Sequence, residues 1–475
     1  MFIGRNEQLA VLDELLEGLQ TRNDRKPGHA ILIRGRRRVG KSRLVEEFVQ
    51  RANVPHLFYA AAGRTVEEEL RLFVAEVLAS DLPEADSFRG VTFETWDTAL
   101  RFLVSALPED GASIVVIDDL PYLIDKDPGF EGTLQTVFDR FLSPQRVLLV
   151  GIGSDLAMME MLNDYGRPFH QRATEMIVPP LSPAEVAEML ELPAAEAMDA
   201  YLVSGGLPLI LAEWKPGWTM WEYLEWALQR PTSALLVSAE RALAAEFPTE
   251  AQARLVLSTI GGAGERTFTT IGQRAGIQAT QVTRATKLLG EKRMVDAVRP
   301  LSTRKSSETR YRVADPYLRF WLSFIEPQMP RIERGGGLEV LERIREGWSS
   351  WSGRAIEPVI HEALDRLRLP LGPKAAAGVV GGYWTRTNDV EIDVVIADRP
   401  EVAKQIYAVG SIKWKGERPF DGHDLGELLK HRGQLPGADG TTPLVAVTRS
   451  GYTAGTVPDL HVLGPEDLLE AWRRR

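Results

Sequence analysis

A strand-like run, a glycine, three arginines, a second glycine and a Lys-Ser pair follow one another in "ILIRGRRRVGKSRL", residues 31–44. Gly35, Gly40, Lys41 and Ser42 have the spacing GxxxxGK[ST], with the apolar run "AILIR" before it and the helical pattern "SRLVEEFVQ" after it. These residue types at this spacing suit the holding of a polyphosphate. Glycines let the backbone curl so that the N–H groups of Gly35, Arg36, Arg37, Arg38, Val39, Gly40, Lys41, Ser42 and Arg43 turn toward phosphate oxygens. The helix N-terminus adds partial positive charge. Lys41 is expected to reach the β- and γ-phosphates, and the Ser42 hydroxyl to complete the shell of a Mg²⁺ ion. The strand-to-helix context separates this reading from a chance match.

Such a loop requires a second strand that ends in a carboxylate. "SIVVIDDLPYL" supplies one, with Asp118 and Asp119 after four aliphatic residues. Asp118 is expected to hold Mg²⁺ through water, and Asp119 to orient the attacking water. Many P-loop ATPases carry Glu at the second position; Asp is one methylene shorter, so slow hydrolysis is expected. A third run, "RVLLVGIGS", ends in Ser154, a polar residue where a sensor of the γ-phosphate would stand. Farther on, "YGRPFHQRATEM" offers Arg167 and Arg172. Either suits an arginine finger, from the same chain or across a subunit contact; the competing reading is a surface or helix-end ion pair.

The elements that must position these residues are legible as a pattern. "HAILIRG", "VPHLFYAAA", "SIVVIDDL" and "RVLLVGIGS" alternate with amphipathic helical stretches. Strands buried on both faces and separated by helices mean a parallel α/β sheet. The chain has 475 residues, too many for one core. The expected division is a P-loop ATPase core over 1–181, a helical lid over 182–245, a winged helix-turn-helix over 246–328 and a mixed α/β domain over 338–475, with Gly335–Gly337 as a linker. No apolar run approaches the roughly 20 residues of a membrane span, and the N-terminal residues lack the apolar core of a signal peptide. The chain has no cysteine, hence no disulfide and no thiolate metal site. A cytoplasmic protein with no membrane partner is expected.

The net charge of −10 argues against a protein coated in nucleic acid, but the charge is uneven. From Arg266 to Arg312 there are 11 Lys and Arg against 3 Asp and Glu. That segment reads as a winged helix: Thr269 or Thr270 caps one helix, Gly276 makes the turn, "ATQVTRATKLLGEKRMV" is the third helix, and "AVRPLSTRKSSETRYRV" is a hairpin with a basic tip. Gln281, Arg284 and Lys287 share a face of the third helix. Double-stranded DNA is the expected partner, with that helix in the major groove and Arg304 and Lys305 on phosphate. The competing reading is a winged helix that reports nucleotide state by packing. The seven histidines show no zinc-binding spacing.

"MFIGRNEQLAVLDELL", "RGRRRVGKSRL" and "VVIDDLPYL" together resemble the archaeal-type ATPase family within the AAA+/STAND group of P-loop NTPases. The resemblance implies that Phe2–Arg5 packs on the base and that Gly206 and Pro208 of "SGGLPLIL" match a GxP segment whose proline lies near the adenine of ATP or ADP. It also implies that "DPYLRFWLSFIEP" leads into a C-terminal domain of the PD-(D/E)xK nuclease superfamily. On that pattern Asp393 is the first metal carboxylate, Glu357 or Glu362 the acid on the preceding helix, and Lys413 the lysine. Ser411 stands where the second carboxylate belongs, with Glu427 as a substitute on the next helix, so an inactive nuclease fold is expected.

The expectation is a Mg²⁺-dependent ATPase whose nucleotide state controls the winged helix and the nuclease-like domain, acting on DNA. The alternative is an ADP-holding switch that signals through protein partners. Homo-oligomerisation stays open.

Overall fold

The run "HAILIR" folds as β1 (His29–Arg34) in the computed structural model, which describes residues 2–21, 27–154, 156–162, 166–167, 172–247, 251–369, 378–416 and 418–473. Four more strands flank it: β2 (His56–Ala60), β3 (Ser113–Asp118), β4 (Val147–Gly153) and β5 (Ala173–Ile177). All pairs are parallel, in the order β2-β3-β4-β1-β5. Every residue of β3 and β4 is buried, as expected of strands covered by helices on both faces. Helix α1 (Asn6–Thr21) buries Leu9, Leu12, Leu16 and Leu19, and α2 (Lys41–Ala52) buries Leu44, Val45, Phe48 and Val49, each set at helical spacing. Since the strands are parallel, the segments leaving β1, β3 and β4 emerge at one edge of the sheet, where ligands of open α/β sheets bind. β5 has no counterpart among the four expected strands. It is an edge strand with one buried residue, Met176, so it leaves no apolar run to read.

The chain divides into two compact units, Met1–Pro180 and Leu181–Arg475. The second begins with short helices, of which Pro183–Leu190 opens on a capping box between Ser182 and Glu185. A winged helix follows. Its helices are Phe268–Ala275 and Ala279–Glu291, and its sheet has the order β6-β8-β7 from β6 (Arg266–Thr267), β7 (Val295–Val298) and β8 (Arg310–Val313). The first helix is capped by Thr267, whose hydroxyl accepts from the Thr270 N–H, and not by Thr269 or Thr270. Gly276 ends it with φ 65°, a left-handed turn that suits glycine.

The last sheet contains β9 (Val379–Trp384), β10 (Glu391–Ala397), β11 (Ile406–Lys413), β12 (Leu444–Thr448) and β13 (Leu460–Leu463), in the order β13-β12-β11-β10-β9. β9, β10 and β11 are antiparallel, while β11, β12 and β13 run parallel. The helix Gly337–Ala355 leads into this domain. Its first residue corrects the linker reading of the three glycines. Gly337 is buried, and a Cβ there would lie 2.2 Å from the Leu228 carbonyl oxygen, so the glycine is required for close packing.

Candidate functional site

The loop after β1 is built around two close approaches. A Cβ on Gly35 would meet the Val178 carbonyl oxygen at 2.4 Å, because the chain leaving β5 passes over it and the Val178 N–H donates to Arg34 O at 2.8 Å. Arg38 and Gly40 take left-handed conformations, φ 69° and 87°, which curl the loop into the start of α2. Gly40 is the N-cap and offers no side-chain cap, so the first-turn amides of α2 lack the usual protein acceptor.

The Lys41 side chain is buried, and its Nζ donates to Gly35 O at 2.9 Å and Arg36 O at 3.0 Å. The ammonium thus spans the mouth of the loop on the loop's own carbonyls. Burial lowers its pKa to about 8, against the opposing pull of Asp118 and Asp119. Ser42 follows on α2, half-buried. Arg37 reaches the Tyr122 hydroxyl at 3.4 Å. Arg36 and Arg43 belong to the same loop and first turn, and the Arg43 guanidinium pairs with Glu46 at 3.2 Å.

Asp118 ends β3 and is buried, and its Oδ1 accepts the Asp119 N–H at 2.8 Å. Asp119 sits at φ 52° and ψ 39°, a left-handed conformation that Asp tolerates better than most residues. It is the N-cap of the helix Leu120–Lys126, yet its carboxylate makes no capping bond. Burial first, then the neighbouring Asp118, raises its pKa. Asp118, with one carboxylate oxygen bonded to an amide, and the Ser42 hydroxyl are hard oxygen donors of the kind Mg²⁺ takes, so these residues fit that ion.

Sequence reasoning missed the interior clasp. Arg5, at φ 63°, is buried and donates from Nη2 to Val39 O at 2.9 Å, tying the N-terminal segment to the P-loop. Nothing in the local pattern marks an arginine with a partner 34 residues away. The other expected residues are less concentrated. Ser154 follows directly on β4, at the same sheet edge as Asp118. Arg172 pairs with Asp139 at 2.9 Å, and Arg167 with the buried Glu131 at 2.6 Å, so both are engaged in ion pairs. Pro208 is the first residue of the helix Pro208–Leu211 in the second unit.

The basic segment resolves into two parts. Arg284 and Lys287 are exposed on the helix Ala279–Glu291, Lys287 lying 3.7 Å from Glu291. The hairpin between β7 and β8, by contrast, docks on the C-terminal sheet. Leu301 N donates to Gly382 O at 2.8 Å, Ser302 bridges Val402, and Thr303 N donates to Pro436 O at 3.3 Å. Arg299 pairs with Glu401 at 2.7 Å and Arg310 with Glu391 at 3.1 Å. Two of the arginines that suggested a DNA-binding wing, Arg299 and Arg310, are therefore matched by carboxylates of the following domain. Arg304 and Lys305 stay exposed at the tip.

In the C-terminal domain, Asp393 on β10 accepts from Ser411 Oγ at 3.0 Å and Ile412 N at 2.8 Å. Burial raises its pKa, and burial together with Asp393 pushes Glu357 up to about 8. Glu362 turns elsewhere, to Arg366 at 2.8 Å. Lys413 reaches Asp424 at 3.4 Å and Glu427 at 3.9 Å. Among the described residues no three His, Asp or Glu side chains gather as a metal site. Ser411 gives Asp393 a hydroxyl donor where a second carboxylate would be needed, so these residues do not fit the divalent cation of a PD-(D/E)xK centre.

Residues 5–213 match the family described as an ATPase domain predominantly from Archaea, and residues 321–423 match a family of archaeal and bacterial proteins of unknown function. An uncharacterised protein of Methanocaldococcus jannaschii is 25% identical over 445 residues, spanning 92% of this chain and 93% of the relative. Among solved structures, the Walker-type ATPase PABY2304 of Pyrococcus abyssi is 20% identical, covering 68% of this chain and 96% of its own, with a TM-score of 0.47. The ORC2 protein of Aeropyrum pernix in its ADPNP–ADP complexes is 15% identical, covering 73% and 95%, with a TM-score of 0.46. With Lys41 seated in a glycine loop after β1 and Asp118 ending β3 of the same parallel sheet, residues 5–213 are similar to the ATPase family found predominantly in Archaea.

Proposed function

We propose that the chain binds ATP with Mg²⁺ at Gly35–Ser42 and hydrolyses it slowly, and that the nucleotide state is read by its winged helix to control action on DNA. The observation that supports this most directly is the Lys41 ammonium at the loop mouth, with Asp118 and Asp119 close enough to shift its pKa. The backbone amides at the start of α2 bind the phosphates, and Lys41 leaves the Gly35 and Arg36 carbonyls for phosphate oxygens. Mg²⁺, held by Ser42 and Asp118, would neutralise charge on the phosphates when bound. Asp119, free of any capping bond and with a raised pKa, orients and accepts a proton from the attacking water. The exposed Arg284 and Lys287 face of the helix Ala279–Glu291 is the surface offered to a duplex.

Calorimetry with ATP and steady-state turnover with and without duplex DNA test the proposal. Lys41→Ala should weaken ATP binding by about 100-fold, since a buried charge-assisted contact to phosphate is lost. Unchanged binding or turnover in that variant would overturn it. A second reading, an ADP-holding switch, is favoured by Asp in place of Glu at position 119. Tightly co-purifying ADP with negligible turnover, measured by mass spectrometry and a phosphate-release assay, would decide for it.

A further inference from the structure

A cleft of about 420 Å³ lies within the second unit, between the winged helix and the start of β10. Three arginines that are distant in sequence line it: Arg266 on β6, Arg354 near the end of the helix Gly337–Ala355, and Arg386 in the turn between β9 and β10. None of the three has an ion pair among the described residues. The other charged groups of the wall are largely matched. Arg310 pairs with Glu391 and Glu265, Arg312 with Asp296 and Glu265, and Asp393 accepts from Ser411 and Ile412. The guanidinium of the buried Arg319 donates to the Ala355 and Arg354 carbonyls. Glu308 and Glu357 complete the carboxylates of the lining.

Two buried side-chain atoms on this wall have no partner, and both are N–H donors: Arg266 Nε and Trp384 Nε1. A buried donor without an acceptor costs about 1–3 kcal/mol, so this wall is short of acceptors, and the three unpaired guanidinium groups that line the cleft favour a ligand that brings them. The arginines converge from three separate elements. A single carboxylate is satisfied by one guanidinium fork, whereas a phosphate group offers oxygens in several directions. The cleft also has room for more than a bare phosphate ion.

We propose that this cleft binds a phosphate-bearing ligand through Arg266, Arg354 and Arg386, whose guanidinium groups supply the positive charge. The lining shares no residue with the P-loop or with the face of Arg284 and Lys287, so binding here does not depend on either.

The test uses the full chain carrying Lys41→Ala, which disables the P-loop as a competing phosphate site. Calorimetry at about 50 mM salt with pyrophosphate, and separately with a single-stranded oligonucleotide of about 12 nucleotides, reads binding. At least one probe should bind, and adding R354A and R386A, both at exposed positions, should weaken it about tenfold or more. Binding of the oligonucleotide alone assigns a nucleic-acid strand as the phosphate source; equal binding of pyrophosphate assigns a small phosphate compound. The proposal is overturned if neither probe binds, if R354A and R386A leave affinity unchanged, or if oligonucleotide binding is lost on R284A and K287A instead.

Discussion

Lys41 ties the chemistry of the site to pH. Burial holds its pKa at about 8, well under the ordinary lysine value. A bound polyphosphate places negative charge beside it and raises that pKa, so binding should take up protons near pH 8 and affinity should fall as pH rises above it. Calorimetry in buffers of different ionisation enthalpy measures the uptake. Binding that stays constant to about pH 10 would remove Lys41 from the phosphate site. Without nucleotide the sign reverses. The unfolded chain holds more protons than the folded one between about 8 and 10.5, so stability rises with pH through that window. Gly35 makes a steric prediction. Gly35→Ala places a methyl against the Val178 carbonyl, and should cost about 1–3 kcal/mol of stability while abolishing nucleotide binding. A denaturant titration and calorimetry check both parts.

At the scale of elements, the docked hairpin decides how the basic segment is used. The Arg299–Glu401 pair is largely exposed, the two side chains retaining 49% and 61% of their surface, and such a pair contributes about 0–1 kcal/mol. Leu301 is buried to 4% exposure, and burying a leucine side chain contributes about 1.5–3 kcal/mol. Apolar burial and the backbone bonds of 301–303 therefore dominate over charge. Leu301→Asp should undock the hairpin, while E391Q with E401Q should leave it in place. Hydrogen exchange at the Leu301 and Ala403 amides, bonded to Gly382 O and Ser302 O, reads the difference. Rapid exchange in the E391Q/E401Q variant would show that charge holds the wing. Before docking is known, the sequence shows only eleven basic residues. Their partners lie as much as 102 residues away, beyond the reach of any local pattern.

At the scale of the molecule, two compact units share one chain, with nucleotide chemistry in the first. A ligand at about 100 times its Kd stabilises the unit that binds it by about 2.7 kcal/mol. For 180 residues this should raise the Tm by about 5–10 °C. Differential scanning calorimetry should show the transition of the first unit moving with ATP and not with ATP added to Lys41→Ala. Movement of the second transition would measure the coupling that the proposed control of the winged helix requires, and its absence would argue against that control.

The amino-acid sequence determined the phosphate loop, the carboxylate ending β3 and the alternation of strand and helix, because each is a property of contiguous residues. A strand, a curl of glycines and a helix start need no distant partner to be recognised, and two-sided burial writes itself as an unbroken apolar run. Other features were decided only by the tertiary structure. The Arg5 clasp on Val39, the pairing of Arg172 with Asp139, the edge strand β5, the close contacts at Gly35 and Gly337 and the docking of the wing all join residues far apart in the chain. Their physical basis is contact distance and burial, which exist only once the chain has folded. Asp393 illustrates the boundary: it was legible only as a candidate carboxylate, and its capture by Ser411 and Ile412 required β10 and β11 to lie side by side.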